Sequence, residues 1–367
     1  MSARDPGAAA NIIPLARNAT ASDKFEISIY ASEPAFSYIK EAGLAVNRFV
    51  SSPVRDTDDP GVESLIEEAD RVLYEVNPDV ILTGLSSLGA GIDEALLLRA
   101  NIPFTFAIQD FWGDVNSMLG GKASTYFVID NEASILSRHL HGVDTVVTGM
   151  SKYSMLKEAD TIDYRHRMRI RLNIDDRQRM IGFFGQPLWN SEWYEKTLRA
   201  FAESVTRLKK PLYLFYRPHP KESKVDLKKV TGLFSLSGVA CEIAERWNTD
   251  EWLAASDLVC TVFSNCGYDQ IMLNRLSPEP LSVVVYMLFG EGIIKLYKDC
   301  TGMDYLPPVK QNIAFSVENE DELLKTIEQA LNPLTRKEIK EKINEIVPNP
   351  SESIHKMLEI IIRKSGK

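Results

Sequence analysis

Cysteine is scarce in this chain: four residues in 367, at positions 241, 260, 266 and 300, with no CxxC spacing. That argues against a thiolate zinc site and a disulfide framework, and it suits a reducing compartment. Long apolar runs are missing as well. No stretch reaches the roughly 18 to 20 residues of a membrane span, and the segment after Met1 lacks an apolar core of signal-peptide length. The expectation is a cytoplasmic protein, with peripheral contact to the inner face of the membrane left open. Positive charge is not in excess either: Lys+Arg 42 against Asp+Glu 51 leaves a net charge of -9. Nucleic-acid backbones are held by clustered Lys and Arg, so no nucleic-acid partner is expected. Neither GxGxxG nor GxxxxGK[ST] occurs, which argues against a standard dinucleotide fold and a P-loop kinase or ATPase.

What is present is an ordinary globular composition, 44% hydrophobic and 25% charged, on a chain long enough for two domains. Met1 to Asp23, rich in Ala and Asn, reads as a flexible tail (residues 1–23). From Phe25 onward, short apolar runs alternate with segments of helical period. Phe25 to Tyr30 reads as a strand. Val62, Leu65, Ile66, Ala69, Val72, Leu73 and Val76 make a helical stripe, and Val80 to Thr83 follows as a buried strand. Pro103 to Asp110, Tyr126 to Asp130 and Thr145 to Thr148 continue the strands of the first half. Arg179 to Phe184, Leu212 to Tyr216, Leu258 to Val262 and Leu281 to Leu288 do the same in the second. Apolar strands alternating with helices predict parallel sheets covered on both faces. The fold class expected is therefore α/β, with two Rossmann-like parallel-sheet domains facing a cleft.

The charge-dense stretch with Arg165, Arg167, Arg169 and Arg171 reads as a basic linker, residues 166–178, or as a patch facing an anion or a membrane. It separates an amino-terminal domain, 24–165, from a carboxyl-terminal domain, 179–345. A last helix, 346–367, is expected to return to the first domain.

Parallel-sheet domains bind ligands outside the carboxyl ends of their strands. Arg217-Pro218-His219-Pro220 stands at such an end. Two prolines restrict the backbone, so Arg217 offers a planar fork to phosphate and His219 a donor to phosphate or hydroxyl. Leu258 to Phe263 runs into Ser264-Asn265-Cys266-Gly267, which opens a helix. Free N–H groups and the helix dipole favour an anion there. Gly267 would let a ligand near the backbone, and Asp269 would accept from ribose hydroxyls. In the first half, Asp110 and Asp114 flank Phe111-Trp112-Gly113 after a strand, and Glu33 follows the earliest one. These carboxylates are candidate general bases beside Trp112 as a stacking platform, or simply part of an exposed turn with an aromatic plug. Gly84 to Gly91 would wrap a substrate or simply connect strand to helix. His139 and His141 lack the spacing of a helix-face metal pair, and no metal site is expected.

These segments resemble the GT-B glycosyltransferase superfold. Ile181-Gly-Phe-Phe-Gly-Gln-Pro187 is similar to the strand and turn that open its second half, which makes Gln186 a donor contact. Arg217-Pro-His-Pro220 is similar to the RPHP element of bacterial capsule and teichoic-acid type transferases. Ala255-Ser-Asp-Leu-Val259 through Asn265 resembles their nucleotide segment, with Asp269 near the usual acidic position. The resemblance implies a metal-independent glycosyltransferase with a nucleotide-sugar donor as substrate and no other cofactor. Arg217, His219, Ser264, Asn265, Gly267, Asp269 and Gln186 would hold the donor, and Asp110, Asp114, Glu33 and His219 would serve the chemistry. The acceptor would be a glycan, a lipid-linked species or a protein. The same superfold includes nucleotide-sugar 2-epimerases and polyol-phosphate transferases, and a non-catalytic scaffold is the remaining alternative. The chain departs from the pattern at Asn274-Arg275-Leu276-Ser277-Pro278, where Gly-Lys-Pro is usual, and at Ala31-Ser32-Glu33-Pro34, which is not a Gly-rich loop.

Overall fold

The structure is a computed structural model and describes residues 1–86, 89–113, 115–175 and 177–366. The chain forms two compact units: Met1–Met155 with Pro348–Lys367, and Leu156–Val347. In the first, seven strands are described: β1 (Ser2–Ala3), β2 (Tyr30–Ala31), β3 (Asn47–Arg48), β4 (Ile81–Gly84), β5 (Thr105–Ile108), β6 (Thr125–Val128) and β7 (Thr145–Val147). All pair in parallel, in the order β3-β2-β1-β4-β5-β6-β7. In the second, β8 (Arg179–Phe184), β9 (Leu212–Arg217), β10 (Glu242–Ile243), β11 (Leu258–Thr261), β12 (Val283–Met287) and β13 (Phe315–Val317) pair in parallel, in the order β10-β9-β8-β11-β12-β13. Both sheets start in the middle, run outward and then reverse, the order of a doubly wound fold. The reversal places one switch point between β1 and β4, and another between β8 and β11. Among the described residues, no helix is long and apolar enough to cross a membrane.

The amino-terminal segment is not a tail. Its first residues are β1, and Pro6–Thr20 is a helix whose start is capped by Asp5, which accepts from the Ala8 N–H at 2.8 Å. Ala8, Ala9, Ile12, Leu15, Ala16 and Ala19 are buried in the core of this unit. Small residues permit a close approach: a Cβ on Gly84 would come within 2.7 Å of the Ala8 Cβ. The Ala-rich composition that reads as looseness is a packing requirement. Of the strand expected over Phe25 to Tyr30, only Tyr30 is in β2, because β1 offers partners to Tyr30 and Ala31 alone. The terminal helix Ser353–Ser365 packs Met357 and Ile361 into the same core.

The basic stretch is not a linker either. Glu158–Arg171 is a helix, and its alternating arginines form two i, i+4 pairs. Arg165 and Arg169 meet buried Asp257, at 2.6 and 3.2 Å. Arg167 and Arg171 face Glu251, at 3.9 and 3.1 Å. The charge of these four arginines is matched within the unit.

Candidate functional site

The switch point of the second unit is built from the exits of β8 and β11. The Gln186 side chain accepts the Phe263 N–H at 2.8 Å, tying one exit to the other. The Thr261 hydroxyl donates to the Phe184 carbonyl at 2.8 Å and accepts the Ser264 N–H at 3.3 Å. The Ser264 Oγ in turn accepts the Cys266 N–H at 3.3 Å. This pinned turn delivers the start of the helix Cys266–Leu276, whose cap residue Asn265 makes no side-chain capping bond. The dipole makes that end attractive to an anion. Asp269 lies in the first turn and is buried. Gly267 serves a different purpose from the one expected: a Cβ there would fall within 2.7 Å of the Tyr286 ring, so the space is filled by protein.

Beside it, the exit of β9 carries Arg217, His219 and Glu222. The fork of Arg217 is already occupied. It donates to the carbonyls of Ala244, Arg246 and Trp247 and to the Thr249 hydroxyl, so it fastens the segment after β10 instead of presenting itself to phosphate. His219 is half-buried, and its Nδ1 accepts the Lys221 N–H at 3.1 Å. That fixes the ring proton on Nε2 when the ring is neutral. Burial, with Lys221 nearby, pushes its pKa below the usual histidine value, so the neutral donor form holds at pH 7.

Glu222 is a residue the sequence reading missed. It accepts from the His219 N–H at 2.6 Å, the Tyr216 hydroxyl at 2.6 Å and the Trp189 indole at 2.7 Å. Burial pushes its carboxyl up against those donors. Tyr194 extends the network, sharing a 2.8 Å bond with Tyr216 and accepting the Gln186 N–H at 2.9 Å. The Gln186 turn and the His219 turn are therefore held by one buried polar chain. Glu222 is three residues past His219, but its partners come from two other elements, and sequence spacing carries no sign of them.

In the first unit, Arg4 fills the switch point. Buried, it reaches Asp93 at 3.0 Å and donates to the carbonyls of Ser86 and Gly89, both at 2.7 Å. The 84–91 loop, of which Ser87 and Leu88 lie outside the described residues, thus wraps a guanidinium of its own chain. A Cβ on Gly91 would come within 2.5 Å of Arg4 Cδ. Arg4 was hidden to sequence reading inside the supposed tail.

Asp110 follows β5 beside the start of the helix Pro6–Thr20, where a Cβ on Gly7 would lie 3.2 Å from its Oδ2. Asp114 lies outside the described residues. Glu33 is exposed, paired with Arg48 at 2.8 Å and accepting the Ser37 N–H; the Ser37 bond and Arg48 hold it below the usual carboxylate range. That is the wrong direction for a base at neutral pH. Trp112 is not a stacking platform: it is buried and its indole donates to Asp130 at 3.0 Å. His141 bonds the Gly113 carbonyl at 2.7 Å.

Glu94 is the titratable group the sequence did not flag. One oxygen accepts the N–H groups of Leu119 and Gly121, and the other is buried without a partner among the described residues. Burial pushes its pKa up to about 6 from 4.5. A raised folded-state pKa gives stability that is full below 4.5 and lost as pH rises through about 6. Glu94→Gln is therefore expected to gain about 1–2 kcal/mol on the parent between pH 4.5 and pH 7. Urea unfolding at both values checks this, and a difference that does not change with pH would refute the assignment.

Two parallel-sheet α/β units with these strand orders are those of the GT-B type. S. aureus MnaA, solved with UDP, is similar at TM-score 0.69 and 12% identity, over 100% of this chain and 96% of that one. The UDP-GlcNAc 2-epimerase of Neisseria meningitidis, bound to UDP-GlcNAc, is similar at TM-score 0.67 and 11% identity, over 99% and 98%. MurG of Acinetobacter baumannii is similar at TM-score 0.60 and 13% identity, over 99% and 98%. Identities this low carry the fold and nothing finer. The narrower resemblance to capsule and teichoic-acid type transferases finds no support among these structures. No protein-family model matches the chain, and neither does the sequence of any curated protein.

Proposed function

We propose that the chain is an enzyme acting on a UDP-sugar, and that it epimerises the sugar at C2 in preference to transferring it. The observation that carries the reading is the turn 263–266, pinned by Gln186 and Thr261 so that a helix start and a neutral His219 flank the switch point. The similarity to several UDP-GlcNAc 2-epimerase structures, two of them with UDP-GlcNAc bound, favours epimerisation over transfer. In this reading the diphosphate lies against the N–H groups from Ser264 to Cys266, which neutralise its charge. His219 donates from Nε2 to a phosphate or sugar oxygen. Asp269 is assigned to the ribose, Gln186 positions the turn, and Arg217 supports the wall behind it. Inverting C2 requires removing and returning a hydrogen at that carbon, work for carboxylates such as Asp110 and Asp114.

Glycosyl transfer is the second reading, favoured by the likeness to MurG and to a Rickettsia africae glycosyltransferase. It alone calls for a glycan, lipid-linked or protein acceptor. Incubation with UDP-GlcNAc in D2O, without acceptor, separates the two. Epimerisation predicts the C2 epimer with deuterium at C2. Release of UDP only after an acceptor is added would establish transfer, and no binding of any UDP-sugar would overturn both.

A further inference from the structure

The first unit holds a cavity of about 770 Å³ at the amino-terminal edge of its sheet. It is lined by Phe25 to Ser28 on one side and by Asp79 and Val80 on the other, with Leu358 and Ile361 of the last helix lining it too. In the sheet, β1 lies between β2 and β4, yet β1 is two residues long. Ser2 pairs with Tyr30 on one side and with Thr83 on the other. Before those residues, the two flanking segments have no strand between them. Residues 25–29 belong to no strand, although the Ile29 carbonyl already accepts the Asn47 N–H of β3 at 2.8 Å. Strands that flank a third lie about 9.6 Å apart, so the gap is one strand wide.

The ladder already points into the gap. The Tyr30 N–H donates to the Met1 carbonyl at 3.0 Å, and the Met1 amino group donates to the Ser28 carbonyl at 2.7 Å. These are the alternating bonds of a parallel pair, carried one residue beyond β1. Burial pushes the Met1 amino group down to about 6 from 8.0. An amide nitrogen in the same place has no charge to desolvate.

We propose that this cavity is a strand slot, and that its occupant is an extended apolar segment joined to the nitrogen of Met1, parallel to residues 25–28 and 79–81. At roughly 3.3 Å per residue, about three to four residues fill it. Its side chains alternate between the face covered by Leu358 and Ile361 and the opposite face. A separate peptide fits less well. Its carboxylate would stand about 2.8 Å from the Met1 nitrogen, where a peptide bond needs about 1.33 Å, and the ladder register would break at the join. The inference concerns the first unit's sheet and stands apart from the proposed activity.

The test compares three preparations of the full chain: one extended before Met1 by four Val and Ile residues, one extended by four Gly and Ser residues, and the parent with the apolar peptide added in trans. The proposal predicts a melting temperature higher by at least about 3 °C for the apolar extension alone. It also predicts at least tenfold slower exchange of the Ser28 amide, which faces the slot two residues before Tyr30. Equal behaviour of the two extensions would overturn the slot. Equal stabilisation by the peptide in trans would overturn the covalent occupant in favour of a separate partner.

Discussion

Asp257→Ala is expected to destabilise the second unit by about 3–5 kcal/mol, the range for breaking a buried ion pair by removing one side. The carboxylate precedes β11 and is buried, with Arg165 at 2.6 Å, Arg169 at 3.2 Å, Arg336 at 3.3 Å and Arg179 at 3.8 Å. It also accepts the Met180 N–H at 2.9 Å, which locks β11 beside β8. Without it, four guanidiniums face each other with no anion among them. Burial pushes this carboxyl up, but Arg165, the Met180 N–H and Arg169 together hold it below its ordinary 3.8. A depressed folded-state pKa gives stability that is full above 3.8 and lost as pH falls through the folded value. The difference between parent and variant should therefore shrink in acid. Denaturant midpoints at pH 7 and pH 3 measure it, and a loss under about 1 kcal/mol at pH 7 would refute the ion cluster as the fastener of the helix Glu158–Arg171.

Gly185→Ala should damage stability and binding together. A Cβ at this position would lie 2.5 Å from Tyr216 Cζ and 2.7 Å from Glu222 Oε2. Neither neighbour can yield freely, because Tyr216 is bonded to Tyr194 and Glu222 to Trp189 and the His219 N–H. Overpacking of a locked site costs about 1–3 kcal/mol. The shift moves the Gln186 and His219 turns at once, so UDP affinity should fall at least tenfold while far-UV circular dichroism stays that of the parent. Gly232→Ala is the control: its helix position is open, with nothing within contact distance of a new Cβ. Unchanged UDP affinity in Gly185→Ala would separate the buried polar chain from the site.

The second unit was largely legible in sequence because four of its strands, β8, β9, β11 and β12, are four to six residues long and mostly apolar, as at Arg179–Phe184 and Leu212–Arg217. In the first unit β4 to β7 were legible in the same way, but its opening was not. Its first three strands are two residues long, too short for any periodicity to register, and Ala-rich helix Pro6–Thr20 looks the same in composition as a loose tail. The arginine stretch misled for a related reason. An alternation read along the chain suggests one strand face, whereas on a helix it becomes two acid-facing stripes whose partners lie some 80 to 90 residues away, at Glu251 and Asp257. The candidate site divides in the same way. Ser264, Asn265 and His219 were visible because strand exits are marked by small polar residues and prolines. Glu222, Tyr194, Tyr216 and Arg4 were not, since each acts through partners from other elements.

A nucleotide diphosphate is expected at the second unit's switch point, and crystals grown with UDP are the test. The expected result is the diphosphate against the backbone N–H groups of residues 264–266, with His219 Nε2 within about 3.2 Å of a phosphate oxygen. UDP bound away from that turn, or with its phosphates turned from the helix Cys266–Leu276, would contradict it.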